Sequence, residues 1–461
     1  EEKKNLIIIA ASTMKSKSMI SAHCFILLAS SSICTAFVSP PSHNPISTKI
    51  HHPLHKQQLS SYIEVDESAV RDTSSLTQWA EGYGAQTVVD FTTYDGVDMF
   101  AVATDDIPAG SPIMYTPANM FISSYGAKEE FGTLEKSEKM IQELAGPEQF
   151  PMFYVFVKIL SEYEKGTESP WYPWLNSLPR VFDSGAAMTP TCYDCLPPLA
   201  AKYAMAERVK YINCKQALKD VDFISEDTKK NDAVTKWAYN VLGTRAFEVG
   251  EEMVIVPMAD MFNHGSIPNV EIHYDEEGSC NAYTTMDVPA GSPLLMCYAN
   301  PYNPSALFAK YGFLDENAPA TFCKIMDIIP STENRNLGLS FSRMLFYHEN
   351  GGISEEVFDV LLFEHLSGEW QTQKDFYNAC MNGDVDTKAA YHQQYLGDVM
   401  GRLKKHVDTF LIELDKLDEK AASKDIETHT RIPKIMAHNA FVREVFLRVK
   451  ENSIDPVIGY Q

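Results

Sequence analysis

Apolar and polar positions alternate through "AQTVVDFTTYDGVDMFAVATDDIPAGSPIMYTP", which begins just after Trp79. Short β-rich runs are parted there by Asp95-Gly96 and by Pro108-Ala109-Gly110, and Asp-Gly between two such runs predicts a hairpin. From about 127 to 245 the period lengthens. "KSEKMIQELAG", "MFYVFVKILSEYEKG" and "PLAAKYAMAERVKYINCKQALKDV" place apolar residues three and four apart, as amphipathic helices do. A loop rich in Pro and Trp, "SPWYPWLNSLPRVFD", interrupts them. Strand character returns at 253–258, 270–274, 281–286 and 293–298. A second "VPAGSP" at 288–293 echoes "IPAGSP" at 107–112, and both are read as a turn leading into a strand. After about 318 a strand-like "TFCKIMDII" gives way to amphipathic helices, of which "YHQQYLGDVMGRLKKHVDTFLIELDKLDEKA" is the clearest. The predicted order is strands, a helical insertion, strands, then a helical C-terminal region.

Composition narrows the function classes. A chain of 461 residues, 45% hydrophobic and 22% charged, buries a large core and has room for two or three domains. A formal charge of −23 argues against a nucleic-acid partner, which needs clustered Lys and Arg. Nine scattered cysteines read as buried thiols of a reduced compartment and not as a disulfide framework. Cys192 and Cys195 form one CxxC, but no second pair stands at zinc spacing, so no metal site is expected.

The front of the chain is read as an address. From Met14 the sequence is "MKSKSMISAHCFILLASSSICTAFVSPP", with Lys15 and Lys17 ahead of an apolar stretch, Ile20 to Ile33, that is too short for a membrane span. Small residues close it at Cys34-Thr35-Ala36. No Asp or Glu then occurs until Glu64, while Ser, Pro, His and Lys are plentiful. A signal-type segment followed by an acidic-poor, Ser-rich one resembles the two-part plastid presequence of algae with secondary plastids. A plain secretory signal is the alternative. Residues 1–61 are therefore set aside from the fold.

The stretch "VIVPMADMFNHGSIPN", residues 254 to 269, ends an apolar run on an adjacent Asn263-His264 pair with Gly265 behind it. By itself it is a strand entering a turn. Tyr298 and Tyr311 by themselves are core aromatics, and Arg245 is a partner in a salt bridge. The set taken in order is more specific. "TRAF", "VPMADMFNH", "PAGSPLLMCYANPYNPSALFAKYGF" and "WLNSLP" resemble the SET-domain methyltransferases of the Rubisco large-subunit methyltransferase class, over about 79 to 461 and most strongly from 245 to 316.

That resemblance implies an α+β fold: a SET-domain β-fold split by a helical insertion and followed by an all-α substrate-binding domain. It divides the chain into a first SET part at 76–126, the insertion at 127–245, a second SET part at 246–317 and the helical domain at 318–461. It implies S-adenosylmethionine as cofactor and a protein lysine side chain as substrate, with no nucleic acid and no membrane. Tyr298 matches the catalytic tyrosine and Tyr311 a second tyrosine on the lysine side. Asn263, His264 and Arg245 match cofactor contacts, and Asp95, Gly96 and Val97 the early loop along the cofactor. Asp260 and Tyr274 lie where the class has substrate contacts. Three positions depart from the usual pattern: Gly96-Val97-Asp98 stands for Gly-x-Gly, Tyr298-Ala299 for Tyr-Gly, and Gly265 for the Ser that often follows the Asn-His pair.

These residue types suit methyl transfer to an amine. The nucleophile must be neutral, although a free lysine has a pKa of about 10.4. Burial in an apolar channel lowers that value. Alignment is then the main task, and aromatic faces tolerate the cationic product. Histidine methylation and a catalytically silent protein-binding module are the alternatives.

Overall fold

The computed structural model describes residues 63–93 and 98–459. The presequence at 1–61 and the loop residues Asp95, Gly96 and Val97 lie outside the described residues.

Strands β2 (Val89–Thr93) and β3 (Met99–Ala103) pair antiparallel, with Thr93 opposite Met99, so the hairpin expected around Asp95-Gly96 joins them. A four-stranded sheet has the order β1-β4-β10-β9, from β1 (Gln86–Thr87), β4 (Pro112–Thr116), β9 (Val270–Tyr274) and β10 (Cys280–Thr284). It therefore joins chain segments on both sides of the helical insertion. A second sheet does the same, with β5 (Ile122–Ser123) and β6 (Phe247–Val249) flanking β7 (Glu252–Ile255). Between these halves helices run from Ser124–Phe131 to Asp232–Arg245. The most buried of them, Phe150–Lys165, turns Phe153, Phe156 and Ile159 into the core shared with the sheets.

The echoed turns face each other. Ile107 and Val288 form an antiparallel bridge, each N–H donating to the other's carbonyl at 2.8 Å. Asp287 accepts from the N–H of Ala109, and Asp106 accepts from the N–H of Ala290, both at 2.9 Å. Gly110 and Gly291 take φ of 76° and 77°, the left-handed region that glycine enters without a steric cost. Each turn thus caps the other through the aspartate preceding its own apolar residue. The sequence echo is a reciprocal clamp between the two halves of the β-fold.

A second core holds the C-terminal region, where Phe410 and Phe446 stack at 4.5 Å between helices Val385–Ala422 and Ile432–Val449. This region departs from the all-α expectation. It opens with a two-stranded antiparallel ribbon, β12 (Ala320–Phe322) and β13 (Leu345–Tyr347), of which only the first lies in the strand-like stretch read from the sequence. β13 is three residues long, too short to leave a period. A third, smaller cluster includes Cys192, Cys195 and Ala200 of the insertion, Phe308 and Ala309, and Ala421, Ile432 and Ile435 of the C-terminal helices. The two cysteines of the CxxC are fully buried in it. No helix among the described residues is long and apolar enough to cross a membrane.

Candidate active site

Two segments that are distant in sequence lie side by side at the centre of the site. β8 (Asn263–His264) pairs in parallel with β11 (Leu295–Met296), with Asn263 opposite Leu295. Gly265 continues the contact, its N–H donating to the carbonyl of Met296 at 2.9 Å. A Cβ at position 265 would stand 2.8 Å from Cδ1 and 3.0 Å from Cβ of Leu295. The glycine behind the Asn-His pair thus leaves room for the Leu295 side chain on the neighbouring strand.

The turn before β8 is strained. Met258 has φ of 77°, a region costly for a residue with a Cβ, and it sits fully buried before the short 3-10 helix Ala259–Met261. That turn swings Asp260 inward, where its side chain is wholly buried. Asp260 Oδ2 accepts from Arg245 Nη1 at 3.2 Å and from Trp174 Nε1 at 3.1 Å. Arg245 Nη1 also donates to the carbonyl of Asp260 at 2.8 Å. Burial pushes the Asp260 carboxyl above the usual range, opposed by Arg245 and the Trp174 hydrogen bond. Arg245 therefore has the salt-bridge partner expected of it by itself. Asp260, expected as a substrate contact, is instead walled in between Arg245 and Trp174.

His264 fixes the far side. Its Nδ1 accepts from the Tyr298 backbone N–H at 3.2 Å, which puts the ring proton on Nε2, facing Asp315 Oδ2 at 3.2 Å. Ser266 donates to the same oxygen. Burial alone would raise Asp315, but the bonds from His264 and Ser266 outweigh it and hold the carboxyl below its ordinary value. The Tyr298 hydroxyl donates to the carbonyl of Phe262 at 2.5 Å. Its ring lies 4.9 Å from that of Tyr311, 5.5 Å from His264 and 6.2 Å from Phe313. Burial raises the Tyr298 hydroxyl well above its ordinary pKa, so it stays a neutral phenol. Tyr311 is raised for the same first reason, with Glu248 and Glu207 adding to it.

The structure thus brings Arg245, Asp260, Asn263, His264, Tyr298 and Tyr311 into one linked cluster. Tyr274 stays outside it. That residue is 36% exposed, its ring meets Phe121 edge-on at 6.3 Å, and it lines a cleft of about 540 Å³ with Phe121, Trp171, Val249 and Glu252. Three contributors had no role from the sequence. Phe313 and Asp315 sit just after the "YG" of Tyr311-Gly312, and Trp174 sits inside "WLNSLP". The motif signalled Phe313 and Trp174 as members, but not as parts of the site. Nothing in the local sequence marks Asp315, whose role exists only because residue 264 folds against it.

Three polar groups at this cluster are uncommitted. Asp260 Oδ1 and Arg245 Nε are buried without a hydrogen-bond partner. The half-buried Asn263 amide makes no side-chain hydrogen bond among the described residues. An unmet buried donor or acceptor costs about 1–3 kcal/mol, and this cluster carries two.

Residues 99–299 match the SET domain family. The chain carries a SET domain. Human SET domain-containing protein 4 is 23% identical over 193 residues, covering 38% of this chain and 43% of that protein, so the match spans less than half of the relative's length. Among solved structures, Rubisco LSMT bound to AdoMet aligns with a TM-score of 0.52 and 17% identity, covering 84% of this chain and 91% of that one. The SET domain of LSMT bound to lysine and AdoHcy aligns with a TM-score of 0.52 and 16% identity, covering 84% and 90%. At these identities the likeness establishes a common fold: a SET domain split by helices, with the LSMT arrangement extending into the C-terminal helices.

Proposed function

We propose that this SET-domain protein is an S-adenosylmethionine-dependent protein-lysine N-methyltransferase. One observation carries the reading: the neutral, proton-donating hydroxyl of Tyr298 stands in an aromatic cluster joined through His264 to the unpartnered Asn263 amide. Both solved relatives hold AdoMet or AdoHcy, and one also holds lysine. Bound here, S-adenosylmethionine supplies an electrophilic methyl group on a sulfonium.

The residues present fit such a group. Asn263 both donates and accepts, which suits an amino-acid moiety, and the free Arg245 Nε suits its carboxylate. His264 holds Tyr298 by its backbone, and the loop Asp95, Gly96 and Val97 is the further contact suggested by the resemblance. The Tyr298 proton is committed to Phe262, so its oxygen presents lone pairs to an incoming amine N–H. A phenol held neutral orients the nucleophile without acting as a base. Removal of water around the amine lowers its pKa, and the faces of Tyr298, Tyr311 and Phe313 accept the methylated cation.

We place the target among plastid proteins. The support is the acidic-poor segment after Ala36 and the Rubisco LSMT likeness. Rubisco large subunit and fructose-bisphosphate aldolase are the candidates, and a chain of charge −23 suits a basic target surface. The test is transfer of tritiated methyl from S-adenosylmethionine to a stromal extract, with Tyr298→Phe as control. A labelled band lost in the control supports the reading. A folded protein that binds the cofactor and labels nothing is instead a binding module. Mass spectrometry of the band separates lysine from histidine and counts the methyl groups.

A further inference from the structure

Lys324 is buried, 4% exposed, on the chain leaving β12. No carboxylate pairs with it among the described residues. Its backbone is left-handed, with φ of 61°, one of two non-glycine residues in the described chain with positive φ. A β-carbon in that region is strained, and such strain persists only where the surroundings over-determine it. Here they do. Lys324 Nζ donates to Ser305 Oγ at 2.7 Å, and Ser305 Oγ lies 3.1 Å from Nε2 of His438, which is fully buried. His438 packs on the ring of Phe308 at 4.7 Å. Beside it Asn439 donates to the carbonyl of Cys195 and to Asp418, both at 3.0 Å.

This seam touches the active site through one element. Ser305 is in the first turn of the helix Pro304–Tyr311, whose last residue is Tyr311. Phe313 follows after Gly312 and packs on His264 at 5.5 Å. At its start the helix is held by Asn303, which donates to Tyr203 Oη of the insertion at 3.1 Å. The short helix therefore spans from the C-terminal core to the aromatic cluster, and Lys324 and His438 grip the end away from Tyr311.

We propose that Lys324, acting through Ser305 and His438, is a positioning residue that holds the Tyr311 helix against the C-terminal helices, and that protonation of its amino group loosens that hold. The proposal rests on the methyl-donor reading of the site for its effect on ligand binding, but not for the seam itself. A buried ammonium with no counter-ion is costly, and the protein relieves the cost either by deprotonation or by opening. Burial pushes Lys324 down to about 7. The titratable groups around it are Cys323 on its own segment, His438 on Ile432–Val449 through Ser305, His406 on Val385–Ala422 through the Cys323 carbonyl, and Tyr203 on the insertion, which bonds Asn303 two residues before Ser305. Burial pushes Cys323 up to about 12 and His438 down to about 3, and it raises Tyr203. His406, lowered by burial, bonds the carbonyl of Cys323 at 2.7 Å. None of these offers a negative charge near neutral pH, so a proton on Lys324 stays uncompensated.

The experiment uses the full chain. Hydrogen exchange across Pro304–Tyr311 is read by mass spectrometry from pH 6 to 8.5, corrected for intrinsic rates, beside calorimetric affinity for S-adenosylhomocysteine. In the wild type both helix protection and affinity fall by about tenfold between pH 8 and pH 6, as the neutral fraction of one group with a pKa near 7 does. Lys324→Met keeps the apolar stem, and both slopes disappear. Ser305→Ala leaves Lys324 in place and lowers protection at every pH. An unchanged pH slope in Lys324→Met overturns the proposal, as does a slope in protection with no change in affinity. If Lys324→Met does not fold, full protection in Ser305→Ala at pH 8 overturns it. A wild type with the expected slope in protection and no affinity for S-adenosylhomocysteine refutes the methyl-donor reading and leaves the seam supported.

Discussion

At the scale of single residues, two positions decide the site for different reasons. Tyr298 acts through one oxygen, already oriented by Phe262. Tyr298→Phe keeps the ring packing and removes the oxygen proposed to orient the amine. A positioned polar group of this type contributes about 10²–10³-fold to rate, so labelled-methyl transfer falls by that factor while S-adenosylhomocysteine affinity changes little. Gly265 acts by having no side chain. Gly265→Ala puts a carbon 2.8 Å from Leu295 Cδ1 and 3.0 Å from its Cβ, so the Leu295 side chain, and the strand so far as its Cβ must give, has to shift. Overpacking of this kind costs about 1–3 kcal/mol, which urea unfolding reads directly, and cofactor affinity falls with it because Asn263 and His264 ride on the displaced strand. Gly265 was legible in the sequence only as a turn residue. The partner that makes it necessary is 30 positions away.

At the scale of elements, the segment after the Tyr311 helix behaves as a tether. Asp315 reaches back to His264 and Ser266, so the chain leaving the aromatic cluster is tied to the strand that enters it. Asp315 has a lowered carboxyl in the folded protein, and its contribution is therefore present above the unfolded pKa of about 4. It is lost as pH falls through the lowered folded value. Asp315→Asn removes that contribution: stability near neutral pH drops by about 1.5–3 kcal/mol, the range for a hydrogen bond to a charged group, and the acid limb of a stability-against-pH curve becomes shallower. Equal acid limbs in both proteins would count against the tether. The helices of the insertion were legible because they are long enough to repeat apolar positions, although Phe150–Lys165 is buried all round from Phe153 to Leu160. β5, β8 and β11, two residues each, were not, because two residues carry no period.

At the scale of the whole molecule, the SET domain and the C-terminal helices are bound by more than apolar packing. Arg431 donates to the carbonyl of Phe182, and Lys434 meets Asp183 at 2.6 Å, tying the start of the last long helix to the loop after "WLNSLP". With the Lys324–Ser305–His438 contacts, these bonds tie the C-terminal region to the rest of the fold at two places. The address of the chain also belongs to this scale. Residues 14–63 fused ahead of a fluorescent protein are expected to deliver it to the plastid in an alga with secondary plastids. Fluorescence in the medium or confined to the endoplasmic reticulum would instead support a secretory signal.

The sequence by itself determined the order of strands, insertion and helices, because each long element repeats its apolar positions at its own period. Several spaced blocks in one order, "TRAF", "MADMFNH", "CYANP" and "KYGF", also carried the resemblance that singled out Arg245, Asn263, His264, Tyr298 and Tyr311 as candidates, while Asp315 left no mark. Tertiary structure alone decided which of them meet. Asp260 is turned inward by a strained Met258, and Tyr274 is carried on β9 to another cleft. The two "PAGSP" turns clamp each other across 181 positions, and Lys324 finds Ser305 and His438. Each of these outcomes depends on a partner distant in the chain, and no local pattern of apolar and polar residues encodes such a partner.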